Sequence, residues 1–264
     1  MNRRVAALAA LLSLAAAGCG GASVARDRPR LVRVAAAADL RFALDGVIDA
    51  FTGVHPDIDV SVSYGSSGTF FAQLQRGAPY DCYLSADISY PRQLDAQGLA
   101  LPGSTFTYAV GRIVLWVRED SPLDVASRGF DALVDPSVAH VAIANPDHAP
   151  YGRAAEAALD SAGLLDRVRP KLVLGENVSQ AMQFAQSGSA DAGIVALALA
   201  VAPTVAGDGR YWEVPVETYP QMEQGGIILE TAADPDAARA FTAFMQADQG
   251  RQILRRFGFA MVED

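Results

Sequence analysis

The sequence predicts an α/β protein built on mostly parallel sheets, and three observations lead there. Short β-rich runs alternate with segments whose apolar residues recur at helical spacing, as strand, loop and helix, along most of the chain. The 264 residues are 51% hydrophobic, which supplies core enough for one large domain or two smaller ones. There is no repeat of fixed period and no low-complexity tract beyond a richness in Ala, so solenoids are excluded.

The elements follow in order. Leu31-Val32-Arg33-Val34 opens as a strand and leads into an Ala run. Leu40, Ala43, Leu44, Val47, Ile48 and Phe51 then share one helical face, with Asp39 before them as an N-cap. Val60 to Tyr64 alternates as a strand, Gly65-Ser66-Ser67-Gly68 is a turn, and Thr69 to Gln75 reads as a helix that ends at Gly77. Asp81 to Leu84 is a short strand running into Ser85-Ala86-Asp87, where Asp87 suits a helix cap. Ile113 to Val117 and Val138 to Ala144 are further strands. The loop from Asn145 to Gly152 leads into an Ala-rich helix that reaches Ala162. Lys171 to Leu174 is a strand, and Val178, Ala181, Met182 and Ala185 share a helical face. Ala192 to Leu197 and Gly226 to Leu229 complete the strands, and helices over Pro235 to Met245 and Gly250 to Arg256 follow.

The N-terminus reads as a targeting segment. Arg3 and Arg4 precede an apolar run, Val5 to Ala17, that is short for a membrane span, and small residues lead to Cys19. Residues 1–18 are thus expected to be a signal peptide. Leu14 to Cys19 resembles a bacterial lipobox, in which the Cys is acylated; ordinary cleavage nearby is the alternative. Residues 19–30 are small, polar and Pro-containing, as in a flexible tether. With Cys19 acylated, Cys82 has no disulfide partner, and its apolar neighbours mark it as a small buried hydrophobe.

The formal charge of −9 becomes about −11 once Arg3 and Arg4 are removed. Such a chain lacks the cationic surface that nucleic acid requires. His55, His140 and His148 are the three His, none at metal-ligand spacing from another, and no P-loop, dinucleotide fingerprint or nucleophile elbow occurs. The informative loops are instead the helix starts at Ala35–Asp39, Ser66–Thr69, Pro150–Gly152 and Asn177–Ser179. Helix starts present unpaired N–H groups and partial positive charge, so several converging on one point form an anion site without Lys or Arg. Plain capping explains Ser66, Ser67 and Thr69 equally well at this level.

At these same loops the chain resembles the periplasmic molybdate-binding proteins of ABC transporters, from Val32 to Phe259. The carrying stretches are Val34 to Leu40, Tyr64 to Thr69, Gly77 to Asp81 with Leu84 to Asp87, Asn145 to Gly152, Gly175 to Val178 and Phe257-Gly258-Phe259. The resemblance implies a type II two-lobe fold with the ligand between the lobes. The crossovers are expected near Tyr108 to Arg112 and Pro215 to Pro220. Lobe one would be residues 31–107 and 221–264, and lobe two residues 108–220. It also implies a monomer with no cofactor and no catalysis, which captures molybdate, and tungstate with it, and hands it to a transmembrane permease. The protein would work in the periplasm or otherwise outside the cytoplasm, touching the membrane only through a lipid on Cys19.

The site residues implied are Asp39, Ser67, Tyr151 and Val178, all directed at oxygens of the anion and none at the metal. Ser67 would donate through both hydroxyl and N–H, Val178 through its N–H, and Tyr151 through its N–H or its phenol. A tyrosine that some members carry falls at Ala196 here. Asp39 departs from the Ser, Thr or Asn common at its position, since an ionised carboxylate only accepts hydrogen bonds. Either it turns back to cap its own helix and offers its N–H, or the ligand carries a proton that reaches Asp39. The alternatives are a binding protein of the same fold for sulfate, phosphate or a small carboxylate, and a hydrolase using Ser67 or Ser85.

Overall fold

The computed structural model describes residues 30–262. The expected leader, Cys19 and almost all of the tether lie outside the described residues; Arg30, placed in the tether, already belongs to the first strand.

The first half runs β1 (Arg30–Ala37), α1 (Arg41–Val54), β2 (Ile58–Gly65), α2 (Ser67–Leu74), β3 (Cys82–Ser85), α3 (Ser89–Ala96) and β4 (Phe106–Gly111). The second runs β5 (Ile113–Arg118), α4 (Val125–Arg128), β6 (Val141–Ala144), α5 (Pro150–Ser161), α6 (Leu165–Val168), β7 (Leu172–Gly175), α7 (Val178–Gln186), β8 (Ala192–Ala196), α8 (Leu197–Ala200) and β9 (Gly209–Glu213). The chain then returns through β10 (Met222–Ile228), α9 (Pro235–Gln246) and α10 (Asp248–Arg256).

Two five-stranded sheets result, ordered β2-β1-β3-β10-β4 and β7-β6-β8-β5-β9. In the first, β1 is parallel to β2 and β3, while β10 is antiparallel to β3 and β4. In the second, β6 is parallel to β7 and β8, while β5 is antiparallel to β8 and β9. The two-lobe α/β architecture implied by the family resemblance is therefore present, with one sheet per lobe. The helices α1, α2, α5 and α7 each begin just beyond the carboxyl end of a parallel strand, which is where such sheets build ligand sites.

Three details differ from the sequence reading. β4 stays in the first sheet through Gly111, paired with Met222, so Tyr108 to Gly111 lie with the first lobe and Arg112 makes the crossing. β10 begins at Met222, not Gly226, and its extra residues carry part of the site. The strand foreseen from Val138 starts at Val141, because the N–H groups of Ala139 and His140 both donate to the Asp191 carboxylate, at 2.8 Å, instead of to a neighbouring strand.

Each lobe has its own core. In the first, Leu44, Val47 and Phe51 of α1 meet Val32 and Val34 of β1 and Phe241, Met245 and Leu254 of the two C-terminal helices. Each fully buried side chain of this kind contributes roughly 1.5–3 kcal/mol. Cys82 lies in this core, fully buried as its neighbours indicated. The second core gathers Leu115, Val117, Ile143 and Val195 with the small residues Ala154, Ala155 and Ala158, which let α5 sit close to its sheet. Ala37, Ala38 and Ala86 of the first lobe pack into this second core, so the lobes meet along a seam.

Candidate functional site

Four helix starts line that seam, and local sequence explains how each is held. At α2, Ser66 has the extended conformation of an N-cap, yet its hydroxyl does not cap its own helix. It donates across the seam to the His148 carbonyl at 2.6 Å, and the Gly68 N–H donates to the same oxygen at 2.9 Å. A Cβ on Gly68 would lie 2.5 Å from that oxygen, so only glycine permits the approach. At α5, Pro150 opens the helix with no N–H to satisfy, and a Cβ on Gly152 would collide with the Ala144 carbonyl at the end of β6. At α7, the Asn177 side chain caps the Gln180 N–H at 3.1 Å, while Ser179 reaches across to donate to the Ala38 carbonyl at 2.9 Å. Residues 38–40 form a short 3-10 turn that leads into α1.

Ser67, Tyr151 and Val178 all sit in the first turns of these helices and are buried, at 1%, 2% and 3% exposure. First-turn N–H groups have no carbonyl four residues back within the helix, so they are donors in search of an acceptor. The Ser67 hydroxyl accepts from the Ala86 N–H at 3.0 Å, which leaves its own proton free to donate. The Ser67 carbonyl is fixed by the Tyr83 phenol at 2.7 Å. The arrangement suits a small anion that accepts from every side.

Asp39 does not cap α1. It lies inside the 3-10 turn, two residues past the position from which a side chain could cap that turn, and the residue at that position is Ala37. Its carboxylate points inward, where Oδ2 accepts from the Tyr151 phenol at 2.9 Å and from Gln224 Nε2 at 2.6 Å. Gln224 Nε2 also donates to the Tyr151 oxygen at 3.1 Å. Gly111 leaves room for the cluster, since a Cβ there would lie 2.6 Å from both Gln224 Nε2 and the Tyr151 oxygen. Asp39 Oδ1 and Gln224 Oε1 are buried with no hydrogen-bond partner. Burial pushes the Asp39 carboxyl up to about 6, and the bonds from Gln224 and Tyr151, with the backbone N–H groups of Asp39 and Leu40 nearby, only partly offset it. The Tyr151 phenol, whose single proton goes to Asp39, leaves the Tyr151 N–H as the donor this residue can turn to a ligand.

Further contacts close the seam. Arg153 of α5 forms an ion pair with Asp87 at 2.8 Å and donates to the Tyr90 hydroxyl at 3.3 Å. Thr69 donates to Glu176 at 3.3 Å. Asp87 also accepts from the Ser89 N–H at 2.9 Å, but the N-cap of α3 is Ile88, so Asp87 sits one residue before the capping position expected of it. A solvent-facing cavity of about 460 Å³ flanks the seam, lined by Asp87, Arg153, Pro150 and Glu223 among others.

The structure also places Ser66, His148 and Glu176 in the order of a nucleophile, base and acid. The geometry does not support that chemistry. The Ser66 proton is given to the His148 carbonyl, so His148 Nδ1, 3.0 Å away, can only donate to the serine. Glu176 lies 3.8 Å from Nε2, outside hydrogen-bond range. Ser67 and Ser85 pair with the Ala86 N–H and with the Asp87 backbone, with no His beside either. Among the described residues no His, Cys, Asp and Glu cluster could hold a metal ion.

Sequence reasoning missed Gln224, Ser179 and the His148 carbonyl. Ser179 had been marked only as part of a helix start, and a backbone carbonyl carries no sequence signal. Gln224 could have been found from Met222-Glu223-Gln224-Gly225-Gly226, where extending the strand backward puts a Gln on the buried face.

Two lobes joined by two crossings, with the buried donors of four helix starts turned onto one seam, define a binding protein for a small polar solute. The chain belongs to the family of bacterial extracellular solute-binding proteins, which it matches over residues 32–260. It is 38% identical over 200 residues to the molybdate-binding protein ModA of Rhodobacter capsulatus, spanning 76% of this chain and 77% of that protein. It is 35% identical to ModA of Azotobacter vinelandii over 76% of this chain and 79% of that one. The solved structure of the Azotobacter vinelandii periplasmic molybdate-binding protein superposes with a TM-score of 0.82 at 34% identity, over 88% of this chain and 100% of that one. The family resemblance read from the loops is borne out.

Proposed function

We propose that this protein is the substrate-binding component of an ABC importer, which captures molybdate, and tungstate with it, between its lobes and delivers it to a membrane permease. The observation that supports the reading is that Ser67, Tyr151 and Val178, all buried, occupy the first turns of helices that start at the seam, with no Lys or Arg among them. The identity to molybdate-binding relatives supports the choice of anion. Cavity size and fixed donors would set selectivity, because a smaller anion leaves buried donors unpaired, at about 1–3 kcal/mol each. The ligand is cargo; the reading calls for no cofactor and no catalytic step. The protein works outside the cytoplasm as a monomer, held to the membrane by a lipid on Cys19.

The test is a thermal-shift series on the chain from residue 20 onward with molybdate, tungstate, sulfate, phosphate and citrate. A ligand at a hundred times its Kd adds about 2.7 kcal/mol, a rise of roughly 5 to 10 °C for a protein of this size. A shift with molybdate and tungstate but not sulfate is the expected result. A shift with sulfate or phosphate alone moves the cargo to the alternative anion, and no shift with any oxyanion overturns the reading. Cys19→Ala should release the full chain from the membrane fraction.

A further inference from the structure

Every group so far assigned to the ligand is a donor, whereas Asp39 brings acceptors. Its Oδ1 is buried at the start of the first of the four converging helices and has no partner, while Oδ2 is saturated by Tyr151 and Gln224. Gln224 Oε1, in the same cluster, is a second unpartnered buried acceptor. A fully ionised oxyanion also offers only acceptors, so adding it leaves the cluster short of one hydrogen. One proton supplies that hydrogen at Asp39 Oδ1, while Gln224 Oε1 stays without a partner.

We infer that the protein takes up one proton with each oxyanion it captures, and that this proton lies between Asp39 Oδ1 and a ligand oxygen. The inference rests on the oxyanion reading above. It makes Asp39 a device that binds the anion as if it carried one charge fewer, at a position where a permanently neutral donor would do so without responding to pH.

Against Asp39 itself no other group is placed to take the proton; His148, across the seam, lies with its Nδ1 3.0 Å from Ser66 Oγ and makes no hydrogen bond to Asp39. From α5, Tyr151 faces Asp39 and already donates to it. From β4, Tyr108 lies close enough to feel its charge and donates to the Ser85 carbonyl at 3.1 Å. From β10, Gln224 is neutral, and Glu223 alternates to the other face, 3.9 Å from Arg92. The segments of α7 and α8, Val178–Gln186 and Leu197–Ala200, hold no titratable residue. From α1 and β2, Asp45 pairs with Tyr64 on the exposed side, with Arg41 beside it. No cation is among the groups that set the state of Asp39. The carboxyl already stands at about 6 with no anion beside it, and a neighbouring negative charge raises it further.

The experiment is titration calorimetry of the ligand-stripped protein with molybdate between pH 6.5 and 8.5, in pairs of buffers that differ in ionisation enthalpy. The expected result is uptake approaching one proton per anion above pH 7, with Kd rising about tenfold from pH 7 to pH 8. Asp39→Asn should bind molybdate with no proton uptake and a flat pH profile, because its amide supplies the hydrogen. Tight binding by the wild-type protein with no uptake overturns the inference, as does an unchanged profile in Asp39→Asn. Failure of molybdate, tungstate, sulfate and phosphate all to bind at any pH overturns the oxyanion reading, and the inference with it.

Discussion

In the ligand-free protein Asp39 should work against stability at neutral pH, and Asp39→Asn reveals by how much. Burial raises the folded-state carboxyl from 3.8 to about 6. Between these values the folded protein keeps a proton that the unfolded chain has lost. The stabilisation from this group is therefore complete below about pH 4 and is lost as pH rises through about 6. A shift of about two units corresponds to about 3 kcal/mol. Asn keeps an oxygen for Tyr151 and Gln224 but has no charge to desolvate. Its amide nitrogen replaces the unpartnered Oδ1 at a cost that does not depend on pH, so the diagnostic quantity is a difference of differences. Relative to wild type, Asp39→Asn should gain about 3 kcal/mol between pH 4 and pH 8, or roughly 6 to 12 °C in Tm. Calorimetric melting of both proteins, stripped of ligand, at unit steps of pH reads this directly. A Tm difference that is the same at pH 4 and pH 8 would refute the buried, uncompensated carboxylate.

The remaining predictions concern donors and closure. Ser67→Ala removes a hydroxyl donor to a charged ligand, worth about 1.5–3 kcal/mol, so molybdate affinity measured by calorimetry should fall roughly ten- to a hundredfold. Gly68→Ala places a methyl against the His148 carbonyl, so the lobes cannot meet as they do here. This variant should keep its circular dichroism spectrum yet lose ligand binding and the compaction on binding seen by small-angle scattering; normal compaction would count against the contact. Arg153→Ala breaks an ion pair whose members are 40% and 30% exposed, and such pairs are worth about 0–1 kcal/mol. Affinity should drop by less than about fivefold, with the loss vanishing in high salt.

The fold was legible wherever the pattern was local. α1 and α9 were found because their apolar faces repeat at helical spacing, and β8 because it is an uninterrupted apolar run. β4 and β9 went unnoticed, since Phe106–Gly111 and Gly209–Glu213 are partly exposed strands whose pattern mixes polar and apolar residues, and they exist because neighbouring strands offer an edge. The helix starts of the candidate site were legible because Ser67, Pro150 and Asn177 carry signals at the level of single residues. What joins them was not. The bonds from Ser66 to the His148 carbonyl, from Ser179 to the Ala38 carbonyl and from Gln224 to Asp39 span from 82 to 185 residues. Asp39 was misplaced for the same reason. Its preference for helix caps is local, and a tertiary partner, Tyr151, outweighed it.

An acidic chain that holds an anion on neutral donors has to hide the conflict in scale. The formal charge of −9 acts over the whole surface and is screened within about 8 Å at physiological salt. The first-turn N–H groups belong to buried residues and act only at hydrogen-bond distance, where local dipoles count for most. Asp39 alone breaks the pattern, and it sits where Tyr151 from one lobe and Gln224 from the other both reach it.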